Sequence, residues 1–349
     1  MENFNRHLLS DQRSIRDALM RIDELAQNGT IFIINEDQEL IGSLTDGDIR
    51  RALLGGAELA DSVLKCVHKS THYIRKGEEA LHKIKEFRSK LIYIVPVLEK
   101  ENDRIVNVLN LHKHRSYLPI DAIIMAGGQG QRLRPLTETT PKPLLKVGGI
   151  PIIERNIDRM ALYGIDDISI SVNYLGEQLE DYFKDGSHKG INIHYVWENE
   201  PLGTVGSVSL IDTFHNDYVM IMNSDLLTNI DFEALFLDFM TSDADLSIVS
   251  IPYEVDVPYA VLECEGSSIS ALKEKPRYTY YCNGGIYLMK REVLDLIPQA
   301  KFYNATDLVE SLIREKRTVR NFPMVDYWLD IGNHHDFNKA QADVQHIRF

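Results

Sequence analysis

Four short apolar runs constrain this 349-residue chain most: Asp121–Ala126, Ile168–Asn173, Ile191–Trp197 and Tyr218–Met222. Each reads as a strand, and between them Pro151–Tyr163 and Glu177–Phe183 carry apolar residues at helical spacing. Strands that are apolar along their whole length, as in YVMIM, are buried on both faces. Alternated with helices, they form a mostly parallel sheet between helical layers. A Rossmann-like α/β domain is expected over 119–349. Ligands of such sheets bind beyond the carboxyl ends of the strands, so the segments near 127, 198 and 223 are the places to look.

The residues ahead of that sheet follow another plan. Ser14–Leu25 has helical spacing, Ile31–Asn35 and Leu40–Leu44 read as strands, and Thr45–Leu54 opens a second helix. From Ser62 to about Pro119 the plan repeats more loosely, with a helix at Gly77–Phe87 and strands at Leu91–Val97 and Ile105–Leu109. A period of roughly 60 residues, used twice, indicates a pseudo-symmetric pair over 1–118, divided at about residue 60, rather than a solenoid.

Composition narrows the partners. The 38 Lys and Arg against 52 Asp and Glu leave a net charge of −14, which repels nucleic acids and anionic lipid surfaces. Neither nucleic acid nor membrane is expected as a partner. Met1–Ser10 is polar, and no apolar run reaches the roughly 18 residues of a spanning helix, so the expected compartment is the cytoplasm. Cys66, Cys264 and Cys282 lie far apart without C-x-x-C spacing, which argues against a disulfide framework or a zinc site.

Against this acidic background, Ala126–Gly149 concentrates Arg132, Arg134, Lys142 and Lys146 directly after the first strand of the sheet. Gly127, Gly128 and Gly130 let backbone N–H groups approach phosphate oxygens without Cβ hindrance. The spacing matches neither G-x-G-x-x-G nor G-x-x-x-x-G-K-[ST]. Asp225 follows the run YVMIM and Asp330 lies in WLDIG. One or two carboxylates with substrate phosphates and water are the usual Mg²⁺ ligands. Each Asp also suits capping, of a turn at Asp225 and of the following helix at Asp330.

GGQGQRLRPLT and PKPLLKVGG resemble the signature of the sugar-phosphate nucleotidyltransferases, and ENEPLGTVGS, NSD, EKP, NGGIY and YWLDIG follow in that family's order. The resemblance implies an enzyme joining a nucleoside triphosphate to a sugar 1-phosphate with loss of pyrophosphate. It implies Ala126, Gly127, Gly128, Gly130, Glu198, Leu202, Gly203 and Thr204 at the nucleotide, and Asp225 and Asp330 at Mg²⁺. Arg132, Lys142 and Lys275 would neutralise reacting phosphates, while Tyr259, Ala260, Glu274, Asn283 and Gly284 would meet the sugar. Gly203 and Gly206 would let the backbone approach a planar base. The form E-x-x-P-L-G-T-x-G is similar to guanylyltransferases, so GTP is the expected donor over other nucleoside triphosphates. Ala260 and Gln131 depart from that family's usual Gly and Thr or Ser.

GSLTDGDIRRALLGG resembles the end of a CBS (cystathionine β-synthase) motif, and the two-fold repeat fits a CBS pair, a module that often binds nucleotides. The resemblance implies Thr45 and Asp48 at a ribose of a regulatory nucleotide, with Asp46 and Arg50 in the same cleft. The second half reads NVLNLHKHRS, so at most one site is expected. An oligomerisation module in which Asp48 is only a helix N-terminal carboxylate stands equally open. The whole architecture resembles the glucosamine-1-phosphate guanylyltransferases that begin legionaminic acid synthesis, with mannose or heptose 1-phosphate as neighbouring acceptors. A homo-oligomer is expected. The alternative of a different class is a non-catalytic, nucleotide-sensing subunit.

Overall fold

The computed structural model describes residues 4–26, 29–347 and 349, so positions 1–3 and 27–28 of the expected first half and 348 of the sheet domain lie outside the described residues. The chain opens with β1 (Leu8–Ser10), α1 (Ile15–Leu25), β2 (Thr30–Ile34), β3 (Leu40–Thr45) and α2 (Asp46–Leu54). Ser14 and Asp17 cap α1 reciprocally, each side chain accepting the other residue's backbone N–H. A second unit follows with β4 (Ile74–Arg75), α3 (Leu81–Ser89), β5 (Ile94–Leu98) and β6 (Ile105–Asn110). In each unit the first strand pairs parallel to the second and the second antiparallel to the third. The units meet through Phe32 of one and Ile94, Leu98 and Ile105 of the other.

Two details differ from expectation. β1 and β4 are too short to carry a periodic signal. α3 starts at Leu81 instead of Gly77, because Gly77 takes a positive φ and the Glu78 and Glu79 side chains accept the backbone N–H groups of Arg75 and Leu81.

The large sheet begins with β7 (Ile120–Met125). It continues through the small strands β8 (Lys146–Val147) and β9 (Ile150–Pro151), α4 (Ile152–Leu162), β10 (Asp167–Val172), α5 (Gly176–Phe183), β11 (Asn192–Trp197) and β12 (Tyr218–Asn223). Then come β13 (Leu226–Thr228), α6 (Phe232–Ser242), β14 (Leu246–Asp256), β15 (Val261–Glu265), β16 (Ser268–Lys273) and β17 (Arg277–Lys290). The chain closes with α7 (Ala305–Arg314), β18 (Val319–Pro323), β19 (Trp328–Asp330) and α8 (His334–Asp343). Seven strands pair in the order β11-β10-β7-β12-β17-β14-β18, with β17 antiparallel to both neighbours and every other pairing parallel.

Successive residues of the central strands enter opposite cores. Ile124, Met220 and Met222 pack with α4 and α6, whereas Ile123, Val219 and Ile221 pack with Leu308 and Leu312 of α7. This two-sided burial is why the strands read as unbroken apolar runs. The chain goes outward from β7 to β10 and β11, then returns to β12 on the other side of β7. That reversal opens a crevice beyond the carboxyl ends of β7 and β12.

Part of the chain leaves the sheet. A register shift between Ile248 and Ser250 marks where β14 and β17 continue as a two-stranded ribbon, from which the β15–β16 hairpin projects. One ribbon face carries Tyr253, Val255 and Tyr280, all exposed; on the other, Arg277 pairs with Glu254 and Asp256. Among the described residues no helix is long and apolar enough to cross a membrane.

The N-terminal units attach at the amino ends of β7 and β10. Asp121, Asp166 and Asp167 gather there, and Lys76 lies 2.7 Å from Asp167 Oδ2. Burial, then the charge of Asp167, raises the Asp166 carboxyl to about 7. Burial depresses the Lys76 ammonium, but Asp167, Asp166 and Asp121 together hold it above its ordinary value. Lys76→Met should therefore destabilise the chain by about 3 kcal/mol, the cost of stranding a buried charge. Asp167→Asn in the same chain should restore more than half of it. Urea unfolding of the three proteins measures both, and a single variant as stable as the parent would contradict this account.

Candidate active site

The crevice at the strand reversal holds a cavity of about 510 Å³. Its first wall is the loop after β7. Gly128 faces open space, while Gly130 has φ +61° and a Cβ there would lie 2.9 Å from Thr137, so glycine is required for the loop to close. Thr137 Oγ1 donates to Gly130 O at 2.9 Å, fixing that turn. Arg132, Lys142 and Gly332 line the same cavity. The loop thus aims two cations at a space bordered by glycine backbone.

Asp225 follows β12 and also lines the cavity. Asp330 ends β19, which pairs antiparallel with β13 so that Leu226 lies opposite Asp330. Ile331 N–H donates to Asp225 O at 3.0 Å, locking the two acidic segments together. Lys142 Nζ donates to Asp225 Oδ2. The other oxygen, Oδ1 of Asp225, is buried without a hydrogen-bond partner, and so is Oδ1 of Asp330. Burial and then the charge of Asp225 raise the Asp330 carboxyl above its ordinary value, against the pull of Lys142 and Arg132. Asn333, and not Asp330, caps α8. Two orphaned carboxylate oxygens on segments joined by the Ile331–Asp225 backbone bond fit a hard divalent cation such as Mg²⁺, which takes one or two carboxylates and completes its shell with phosphate and water. Among the described residues no group of three or more His, Cys, Asp or Glu is poised for a metal.

Other expected residues take different parts. Ala126 uses its N–H on Ser171 O. The buried Glu198 carboxylate accepts from Ser171 Oγ and from Leu202 N, bracing the loop beside the cavity. Leu202 is buried, and Thr204 lines the cavity while its Oγ1 accepts from Ala305 N at the start of α7. Gly203 lines the cavity and Gly206 does not. A Cβ on Gly203 would lie 2.7 Å from Tyr303 O and one on Gly206 would strike Lys301 O, so these glycines admit the 301–303 backbone.

Asn283 and Gly284 line an adjoining cavity of about 290 Å³ together with Asp330, Asn304 and Trp328. Trp328 Nε1 donates to Gly284 O at 2.9 Å. Tyr259, Ala260, Glu274 and Lys275 are not brought there. They lie exposed on the ribbon, which packs chiefly on itself. Trp328, Asn304 and Phe302 line the two cavities yet escaped the sequence reading; Trp328 stands within YWLDIG, while Phe302 belongs to no motif.

In the N-terminal pair, Thr45 Oγ1 donates to Asp48 Oδ2 at 2.6 Å, Arg51 donates to Asp48 Oδ1, and Arg50 pairs with Asp46. Thr45 and Asp48 thus form the capping box of α2, and the four residues expected in one cleft do not converge on an opening. Thr45 alone of the four lines a cavity of about 430 Å³ between the two units, where Tyr93 and His112 stack at 3.9 Å.

Asp330→Asn should raise the melting temperature of the metal-free chain, by about 2–4 °C for each kcal/mol of burial cost and repulsion relieved. Because the folded-state carboxyl is raised, its ionisation costs stability as pH rises, so the gain should appear at pH 8 and shrink by pH 4. A variant that melts below the parent at pH 8 would contradict the buried repulsion.

A family model described as nucleotidyl transferase matches residues 121–347. A mannose-1-phosphate guanylyltransferase of Mycobacterium tuberculosis is 34% identical over 234 residues, covering 64% of this chain and 64% of that protein. A D-glycero-alpha-D-manno-heptose 1-phosphate guanylyltransferase of Aneurinibacillus thermoaerophilus is 31% identical over 230 residues, covering 65% of this chain and 99% of that one. The chain therefore spans less than two thirds of the mycobacterial relative and nearly all of the heptose enzyme. A crystal structure from Bacillus anthracis described as a glucose-1-phosphate thymidylyltransferase superposes with a TM-score of 0.54 at 26% identity, covering 66% of this chain and 97% of that chain. With the family model matching well over half of its length, the chain belongs to the nucleotidyl transferase family.

Proposed function

We propose that this chain transfers a guanylyl group from GTP to a sugar 1-phosphate, forming a GDP-sugar and pyrophosphate. The observation that carries the reading is the meeting of a glycine loop and two cations with two carboxylates that have orphaned oxygens, at the reversal of strand order. Relatives described as mannose- and heptose-1-phosphate guanylyltransferases support guanine in the donor.

An oxygen of the sugar phosphate attacks the α-phosphorus in line, and the bond from that phosphorus to the bridging oxygen of the leaving pyrophosphate breaks. The attacking group is already anionic, so no side-chain nucleophile or general base is required. Arg132 and Lys142 bind the phosphates and oppose the charge that develops during transfer. The glycine loop orients the triphosphate through its backbone. Asp225 and Asp330 would hold Mg²⁺, which supplies further charge neutralisation on the triphosphate when bound. Lys142 then exchanges its contact with Asp225 for one with phosphate.

For the acceptor we take glucosamine 1-phosphate, on the resemblance of the two-part architecture to the guanylyltransferases of legionaminic acid synthesis. The named relatives favour mannose or heptose 1-phosphate as the second reading. The N-terminal pair is proposed as a CBS module whose regulatory nucleotide enters the cavity of Thr45, Tyr93 and His112.

Pyrophosphate release from GTP, ATP, CTP, UTP and dTTP, each against glucosamine, mannose, glucose and heptose 1-phosphates with and without Mg²⁺, tests the proposal. Metal-dependent release with GTP and glucosamine 1-phosphate is the expected result. Release with another sugar discards the acceptor, release with another base discards guanine, and silence throughout discards transfer.

A further inference from the structure

We propose that Phe302 is the wall against which the donor nucleoside packs, and so a determinant of donor affinity in the transfer reaction, on which this inference rests. Among the described residues lining the donor cavity, Phe302 is the one aromatic side chain. It is 63% exposed and joins none of the hydrophobic clusters, although its neighbour Tyr303 packs into one. A phenyl ring left in water at the cavity gives up favourable apolar burial. A planar base laid on it would recover that burial and add stacking.

The backbone holds this ring in place. Tyr303 N–H donates to Leu202 O at 2.9 Å, and Val205 N–H donates to Tyr303 O at 3.1 Å. Gly203 and Gly206 leave no room for a Cβ beside the 301–303 segment, so the two stretches touch along their backbones. Asn304 then caps α7 in a reciprocal box with Asp307, and Thr204 accepts the next N–H of that helix. Phe302 is therefore fixed at both sides while its side chain stays free. The glycines of PLGTVG serve the base indirectly, by seating the aromatic wall.

The test compares the full-length parent with Phe302→Ala and Phe302→Tyr by calorimetric titration of GTP with Mg²⁺, alongside KM for GTP and for the sugar phosphate. Phe302→Ala should weaken GTP by roughly 5- to 150-fold, the range of base–aromatic stacking. Phe302→Tyr should stay within about two-fold of the parent. The acceptor KM and the melting temperature should not move, because the ring packs in no cluster. Equal GTP affinity in Phe302→Ala overturns the proposal, as does a loss that Phe302→Tyr fails to restore or a rise in acceptor KM alone. The titration needs no turnover. A parent that binds GTP but releases no pyrophosphate with any sugar phosphate defeats the transfer reading alone, whereas a parent that binds no nucleotide defeats both.

Discussion

Two half-buried carboxylates, each with one buried oxygen left unpaired, are the constraint around which this structure is arranged. The β13–β19 ladder sets Leu226 opposite Asp330 and so brings Asp225 near it from a distant part of the sequence, and burial, then the charge of Asp225, raises the Asp330 carboxyl. Uncompensated buried charge is among the costliest features a fold can carry. Here Lys142, placed by the loop after β7, offsets part of it, and Arg132 contributes from farther away. Oδ1 of Asp225 and Oδ1 of Asp330 remain without a partner, and a divalent cation brought with a triphosphate would meet them there. Groups prearranged to oppose developing charge need little reorganisation during reaction, which is where most electrostatic catalysis originates.

The opposite end of the same sheet shows a related arrangement with a different solution. Asp121, Asp166 and Asp167 crowd the amino ends of β7 and β10, and the compensating cation is Lys76 of the N-terminal pair. Asn107 of β6 adds a hydrogen bond to Asp166. The pair thus attaches at the amino end of β10, the neighbour of β7, whose other end opens the glycine loop.

Much of this was legible in the sequence because the signals were local. β7 and β12 carry near-continuous apolar runs, and the glycine loop, NSD and WLDIG stand where strands end, so Gly127, Gly128, Gly130, Arg132, Lys142 and Asp225 could be named as neighbours of one cavity. Less legible were features set by distant contacts. That Gly203 and Gly206 abut the 301–303 backbone depends on a pairing nearly a hundred positions away, and nothing in PLGTVG announces it. The ribbon that carries Tyr259, Glu274 and Lys275 away from the cavity alternates like any other strand pair, so its departure from the sheet left no mark in its pattern. Asp48 was the opposite case: Thr-x-x-Asp at a helix start is equally a capping box and a ligand motif, and only the geometry shows the side chains satisfied by each other.

The central claim is that Asp225 and Asp330 together form the acidic half of a metal–nucleotide site. Its most direct test is the binding of the Mn²⁺–GTP complex, followed by water-proton relaxation, to the parent and to the Asp225→Asn/Asp330→Asn chain. The account predicts one bound complex per parent chain and a dissociation constant at least roughly ten-fold higher when both carboxylates are gone. Equal affinity in the two proteins would contradict it, leaving the paired carboxylates without the role assigned to them.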